Sequence, residues 1–196
     1  MTNLLPPNTR DNNILLSTDL ICKDSQSQPN QTVGSPMLSA HPGSTLLLMY
    51  QENGHVTLLN QTPGKISSGN VFVYGTDQSL SSDTLEGIYN VWTPGGSGGD
   101  ARGRLLKEAS FDDGTCYQIN SSPESYRRRV LPQRHHESFE GNDLWCGTEV
   151  TLPEGLVRGS LYTLYWVWDW PTVASPPVLP KGKIEIYTTC MDILII

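Results

Sequence analysis

Residues 161–170 read Leu-Tyr-Thr-Leu-Tyr-Trp-Val-Trp-Asp-Trp, and the run stops at Pro171. A period of two sets Tyr162, Leu164, Trp166, Trp168 and Trp170 on one face. Leu161, Thr163, Tyr165, Val167 and Asp169 fall on the other. Both faces carry aromatic groups, as in a central strand covered on both sides or one whose rim reaches a surface. After a proline-rich stretch, 183–190 alternates as well: Ile184, Ile186 and Thr188 share one face, and Lys183, Glu185, Tyr187 and Thr189 the other. Further strands are predicted over 44–51, 55–60, 70–75 and 85–92, with short ones at 14–16, 105–106 and 116–119. No helical periodicity runs past about two turns. The pattern predicts an all-β chain, an antiparallel β-sandwich of the immunoglobulin or fibronectin type with long loops, forming one domain over 1–196.

Composition narrows the function. A chain of 196 residues buries roughly 70% of its unfolded surface, enough for a core without cross-links. The net charge of −7 and the single basic run Arg127-Arg128-Arg129 argue against nucleic acid and against an anionic membrane surface. No stretch approaches the roughly 20 apolar residues of a membrane span. Cys22, Cys116, Cys146 and Cys190 include no Cys-x-x-Cys pair, so two disulfides are expected, with three connectivities open. Glycosylation sequons begin at Asn30, Asn60 and Asn120. Cysteines and sequons together point to an extracellular protein, expected to be a monomer, yet residues 1–20 hold no signal peptide.

Among candidate site residues, His55 stands out. It follows Gln51-Glu52-Asn53-Gly54, and an imidazole beside a glycine can ligate copper or zinc, act as a base, or sit satisfied in a sheet. Gly95-Gly96-Ser97-Gly98-Gly99 has the spacing of a hydrolase nucleophile elbow but lacks the helix that motif requires. His41 reads as a turn residue. His135 and His136, adjacent on extended chain, point to opposite faces of a charged connection over 123–142. The tryptophan face of 161–170 reads as core rather than as a sugar platform.

Pro6-Pro7-Asn8, residues 19–24 (Asp-Leu-Ile-Cys-Lys-Asp), 51–57, 143–146 (Asp-Leu-Trp-Cys) and the strand from Tyr162 to Pro171 resemble an uncharacterised family of secreted fungal domains. The resemblance covers nearly the whole chain. Mature members of that family begin with a histidine freed by signal-peptide cleavage. The family is in turn similar to lytic polysaccharide monooxygenases, nearest to their chitin-active fungal class, which hold copper in a histidine brace. The resemblance implies His55 as the second histidine of the brace and Tyr187 as the axial residue. Gln51 or Glu52 would lie behind the ligands, and a polysaccharide such as chitin would be the partner. It also implies the pairing Cys22 with Cys190 and Cys116 with Cys146. Three nitrogens in a T suit the tetragonal preference of Cu(II). This chain begins at Met1 with no upstream histidine, so the copper site is expected only with that histidine restored. Two explanations stand: a natural start further upstream, in which case the domain over 1–196 is expected to lack its natural N-terminal strand, or loss of the site.

Overall fold

The computed structural model describes residues 2–31, 33–132, 135–177 and 179–196. Strand β7 (Leu161–Asp169) is the spine of the larger sheet, antiparallel to β8 (Ile186–Ile195) on one side and to β4 (Asn70–Thr76) on the other. β5 (Gly103–Ser110) lies beyond β4 and β1 (Asn3–Leu5) beyond β8, giving the order β1-β8-β7-β4-β5. β2 (Leu38–Ala40) runs parallel to the far end of β8. The second sheet is an antiparallel pair, β3 (Thr45–Tyr50) and β6 (Cys146–Thr151).

Every residue of β7 from Tyr162 to Trp168 is buried, as a strand covered on both faces requires. The tryptophan face packs against the small sheet, with Leu48, Val150, Phe111 and Ile193 in the same core. The opposite face, Tyr165 and Val167, packs with Leu5, Ile21, Trp92 and the short helix α1 (Leu85–Ile88). The result is an all-β sandwich with one helix-covered face.

The two disulfides are Cys22–Cys190 and Cys116–Cys146, the pairing that the resemblance implied. They fit an oxidising compartment. No helix among the described residues is long and apolar enough to cross a membrane. Thr32, which completes the sequon at Asn30, lies outside the described residues.

Several expected strands are absent for identifiable reasons. Residues 85–92 form α1 and a turn, because Leu85, Ile88 and Trp92 recur at helical spacing toward the second core. Thr84 caps that helix, its hydroxyl accepting from the Gly87 amide at 3.2 Å. Residues 116–119 make only the isolated bridge Tyr117↔Leu144. The final strand begins at Ile186 rather than at 183, since Lys183 bridges Thr172 instead. Residues 14–16 form no strand. The charged connection 123–142 contains helix α2 (Pro123–Arg129), whose Ser122 cap accepts from the Ser125 amide at 3.0 Å. Arg128 there is buried, pairing with Asp112 at 2.6 Å and Glu124 at 2.5 Å. Arg127, with Arg128, pulls the Glu124 carboxyl down to about 2.

The disulfides close loops of very different length, with sequence separations of 168 and 30. In the chain-entropy picture the longer loop constrains the unfolded state by about 5 kcal/mol and the shorter by about 3–4 kcal/mol. Replacing Cys22 and Cys190 together with serine should therefore lower the urea midpoint more than replacing Cys116 and Cys146. Equal or inverted losses would show that the loops retain structure when unfolded.

Candidate functional site

The segment after β3 is a chain reversal, not the strand that the alternation of 55–60 suggests. Asn53 and Gly54 both adopt positive φ, 47° and 80°, which Asn and Gly tolerate best. The backbone then turns, His55 N–H donating to Glu52 O at 2.7 Å, and passes into a 3-10 turn over Leu59–Gln61.

The Glu52 side chain holds this turn from inside. It is 2% exposed. One carboxylate oxygen accepts from the Val56 and Thr57 amides at 2.8 and 3.3 Å. The other accepts from the Gln118 amide at 2.8 Å and from the Thr57 hydroxyl. The Thr57 hydroxyl in turn accepts from Asn120 Nδ2 at 2.8 Å. Among the described residues no cation touches this buried carboxylate, which is tolerated because its lone pairs are filled this way.

The turn sets the His55 ring against three aromatic rings. Centroid distances are 4.4 Å to Trp170, 5.1 Å to Trp168 and 6.5 Å to Phe111. Ser68 fixes the backbone, its hydroxyl donating to His55 O at 2.9 Å. Among the described residues neither ring nitrogen has a hydrogen-bond partner. Burial lowers the His55 pKa, Glu52 and Glu185 raise it and Lys65 lowers it further; the net shift is downward, so the ring is neutral at physiological pH.

Tyr187 reaches the same place from β8. It lies opposite Trp168 in the β7–β8 register, and its ring stacks on that indole at 4.9 Å. The structure thus brings His55 and Tyr187 to one tryptophan, and burial raises the Tyr187 pKa. Glu52 is part of the turn, with its carboxylate spent on amides and a hydroxyl. Gln51 is exposed at the end of β3.

Sequence reasoning missed Lys65 and Glu185. The Lys65 ammonium sits 3.5 Å above the Trp170 ring and contacts Glu185 at 2.5 Å. Glu185 also accepts from Thr172 at 2.6 Å and Lys183 at 3.1 Å. Burial opposes the charged form of both groups. Trp166, Trp168 and Trp170 are themselves buried, as a core face is.

The other candidates lie apart. Ser97 is exposed, its hydroxyl meeting that of Thr93. His41 Nδ1 contacts Ile196 O at 2.6 Å. His136 contacts Asp143 O at 2.7 Å while His135 is within 3.9 Å of Glu137. Asp112, Asp113 and Cys116 cluster, but Cys116 is in a disulfide and Asp112 pairs with Arg128. Asn60 is exposed, whereas the Asn120 amide bonds Thr57 and Gln118 O.

A family model described as a domain of unknown function, DUF7492, matches residues 1–196, and the chain belongs to that family. No curated protein and no solved structure matches it.

Two measurements test this arrangement. Glu52→Gln replaces one of the two accepting oxygens with an NH2 donor, set either against the Val56 and Thr57 amides or against the Gln118 amide, and should cost about 2–3 kcal/mol in denaturant unfolding; a neutral change would mean the turn holds without the carboxylate. A lowered folded-state pKa means that the unfolded chain binds the His55 proton first. Stability should therefore be full above the ordinary histidine value of about 6.5 and decline as pH falls through and below it. His55→Phe should flatten that decline, and an unchanged pH profile would remove the desolvated imidazole from the account.

Proposed function

We propose that this DUF7492 domain is a secreted copper-binding protein of the monooxygenase-like kind, with His55 as a nitrogen ligand and Tyr187 beside the metal. The observation that carries the reading is the His55 imidazole: neutral, half-buried, without a hydrogen-bond partner among the described residues, and sharing Trp168 with Tyr187. Copper favours imidazole donors, and a ring that carries no proton at neutral pH need not lose one to bind. The neighbouring charges suit a cation, because Lys65 is neutralised by Glu185. The donor set is incomplete, since one imidazole and one phenol are fewer than the three nitrogens of a brace. A processed N-terminal histidine, were one to precede this chain, would add its amine and its imidazole. Bound copper would supply one-electron chemistry toward oxygen or peroxide. The side chains of this domain then have defined tasks: His55 binds, the Glu52 turn orients it, and the surrounding indoles exclude water.

Oxidative cleavage of chitin or a related polysaccharide is the activity we assign to such a site. A second reading is favoured by the burial of Trp166, Trp168 and Trp170, which withdraws an aromatic surface from sugar stacking. On that reading the domain carries copper without acting on a polymer.

Calorimetry separates these cases. The 1–196 chain should bind Cu(II) weakly, and an extended protein with an N-terminal histidine should bind it orders of magnitude more tightly. His55→Ala should abolish the gain, and Tyr187→Phe should retain the metal. Peroxide-driven release of oxidised oligosaccharides from chitin then distinguishes enzyme from carrier. No gain on extension, or indifference to His55→Ala, would leave a metal-free wall or interaction module.

A further inference from the structure

The glycine-rich loop over 95–103, which the copper reading leaves unused, walls a hollow of about 400 Å³ at the end of the large sheet. Tyr162 is its buried member. The residue is 3% exposed, and its ring lies across Gly75, where a Cβ would stand 2.5 Å from the phenol oxygen. Gly75 pairs with Arg104 in the β4–β5 register, so a glycine there lets the hydroxyl reach toward Arg104. Among the described residues this hydroxyl has no hydrogen-bond partner. Other buried tyrosines do have one: Tyr165 donates to Asp83 at 2.6 Å, and Tyr74 accepts from the Asn90 amide at 3.0 Å. A buried polar group without a partner inside the fold calls for one outside it. Burial pushes the Tyr162 pKa up to about 12, so the phenol stays protonated and can both donate and accept.

The rest of the lining selects the ligand. Arg104 is exposed and makes no ion pair among the described residues, whereas Arg102 beside it is engaged by Asp83 and Asp100. Asp77 and Glu154, both exposed, add carboxylates, and Pro153 and Leu156 add an apolar edge. A guanidinium and two carboxylates facing one space favour neither an anion nor a cation outright. They suit an uncharged molecule whose neighbouring hydroxyls each donate and accept, with a C–H face for the apolar edge. That is the chemistry of a sugar ring. A few convergent polar groups beside apolar ones are also the usual make-up of a small-ligand site.

We propose that this hollow is a binding subsite for one unit of a neutral saccharide, seated between the Tyr162 hydroxyl and the Arg104 guanidinium. The phenol bonds one sugar hydroxyl, Arg104 donates to a neighbouring oxygen, and the two carboxylates accept at the rim. Tyr162 and Trp168 are six residues apart on β7, roughly 20 Å at the rise of an extended strand. The subsite is therefore well removed from His55, which packs on Trp168. It needs neither that imidazole nor a metal, and stands independently of the copper reading.

Amide NMR on the isotope-labelled 1–196 chain, free of copper, tests this with the methyl glycosides of glucose, mannose, galactose and N-acetylglucosamine. At least one should shift the amides of 96–104 and 154–156 at millimolar concentration and leave those of 55–58 unmoved. Tyr162→Phe should weaken that binding about fivefold to tenfold, as one lost hydrogen bond does. Because the hydroxyl serves no contact within the fold, the same variant should not lower the melting temperature. Arg104→Gln, at an exposed position, should weaken binding to a similar degree on an unaltered fold. Silence from all four glycosides overturns the proposal, as do shifts that neither variant reduces. A lower melting temperature for Tyr162→Phe would also overturn it, by giving the hydroxyl a structural role. Tighter binding of acetate or methylammonium at the same amides would make this an ion site and not a saccharide one.

Discussion

The indole of Trp168 is the contact on which both the core and the candidate site depend. Its N–H donates to Ser68 O at 2.7 Å, which ties β7 to the segment entering β4. Its faces and edges meet Phe111 at 4.1 Å, Tyr187 at 4.9 Å, Trp170 at 5.0 Å and His55 at 5.1 Å. These rings come from four separate parts of the chain, so their contacts with one indole hold those parts in register with one another. Aromatic pairs of this kind contribute about 0.5–1.5 kcal/mol each beyond the area they bury. An imidazole placed in such a frame has little freedom to swing away. Its orientation is set by the core rather than by hydrogen bonds to the ring.

The second constraint is the Glu52 carboxylate. It lies under the turn and spends its lone pairs on donors from two segments, 56–57 and Gln118. Because Gln118 O accepts from Ser125 of α2 at 2.8 Å, the turn is also coupled to the start of that helix. The nearby Lys65 is engaged by Glu185 and by the Trp170 carbonyl.

What the sequence made legible follows from range. The run 161–170 shows its period of two locally, and the structure buries both of its faces as that pattern requires. Leu85 to Trp92 looks like a strand because its β-prone residues hide a spacing of three and seven, which takes effect only against the second core that those residues face. The strand expected from His55 failed on Asn53-Gly54, a pair whose preference for positive φ is itself a turn signal. That signal outranks two or three alternating residues. β1 and β2, three residues each, are too short to declare a period and exist by pairing with partners far away in the chain. His55 and Tyr187 could be named one by one. Their meeting at Trp168 is a consequence of the β7–β8 register, which no local pattern encodes.

The same logic explains why Lys65 and Glu185 escaped notice. A lysine in a Gly-Lys-Ile turn and a glutamate in an alternating run both look like solvent-facing residues. Only the fold reveals that the two lie side by side, with the ammonium at 2.5 Å from the carboxylate and 3.5 Å from the Trp170 centroid. Desolvation penalises each charge alone, and the pair persists because each offsets the other's cost and Thr172 and Lys183 fill the remaining carboxylate positions. Removing either partner would leave an uncompensated charge against Trp170, next to the imidazole. Lys65 and Glu185 act on the His55 pKa in opposite directions, and Glu52 also raises it; the downward pull that prevails comes first from burial of the ring among the indoles. The lowered pKa of this imidazole is thus a property of how the core packs around it.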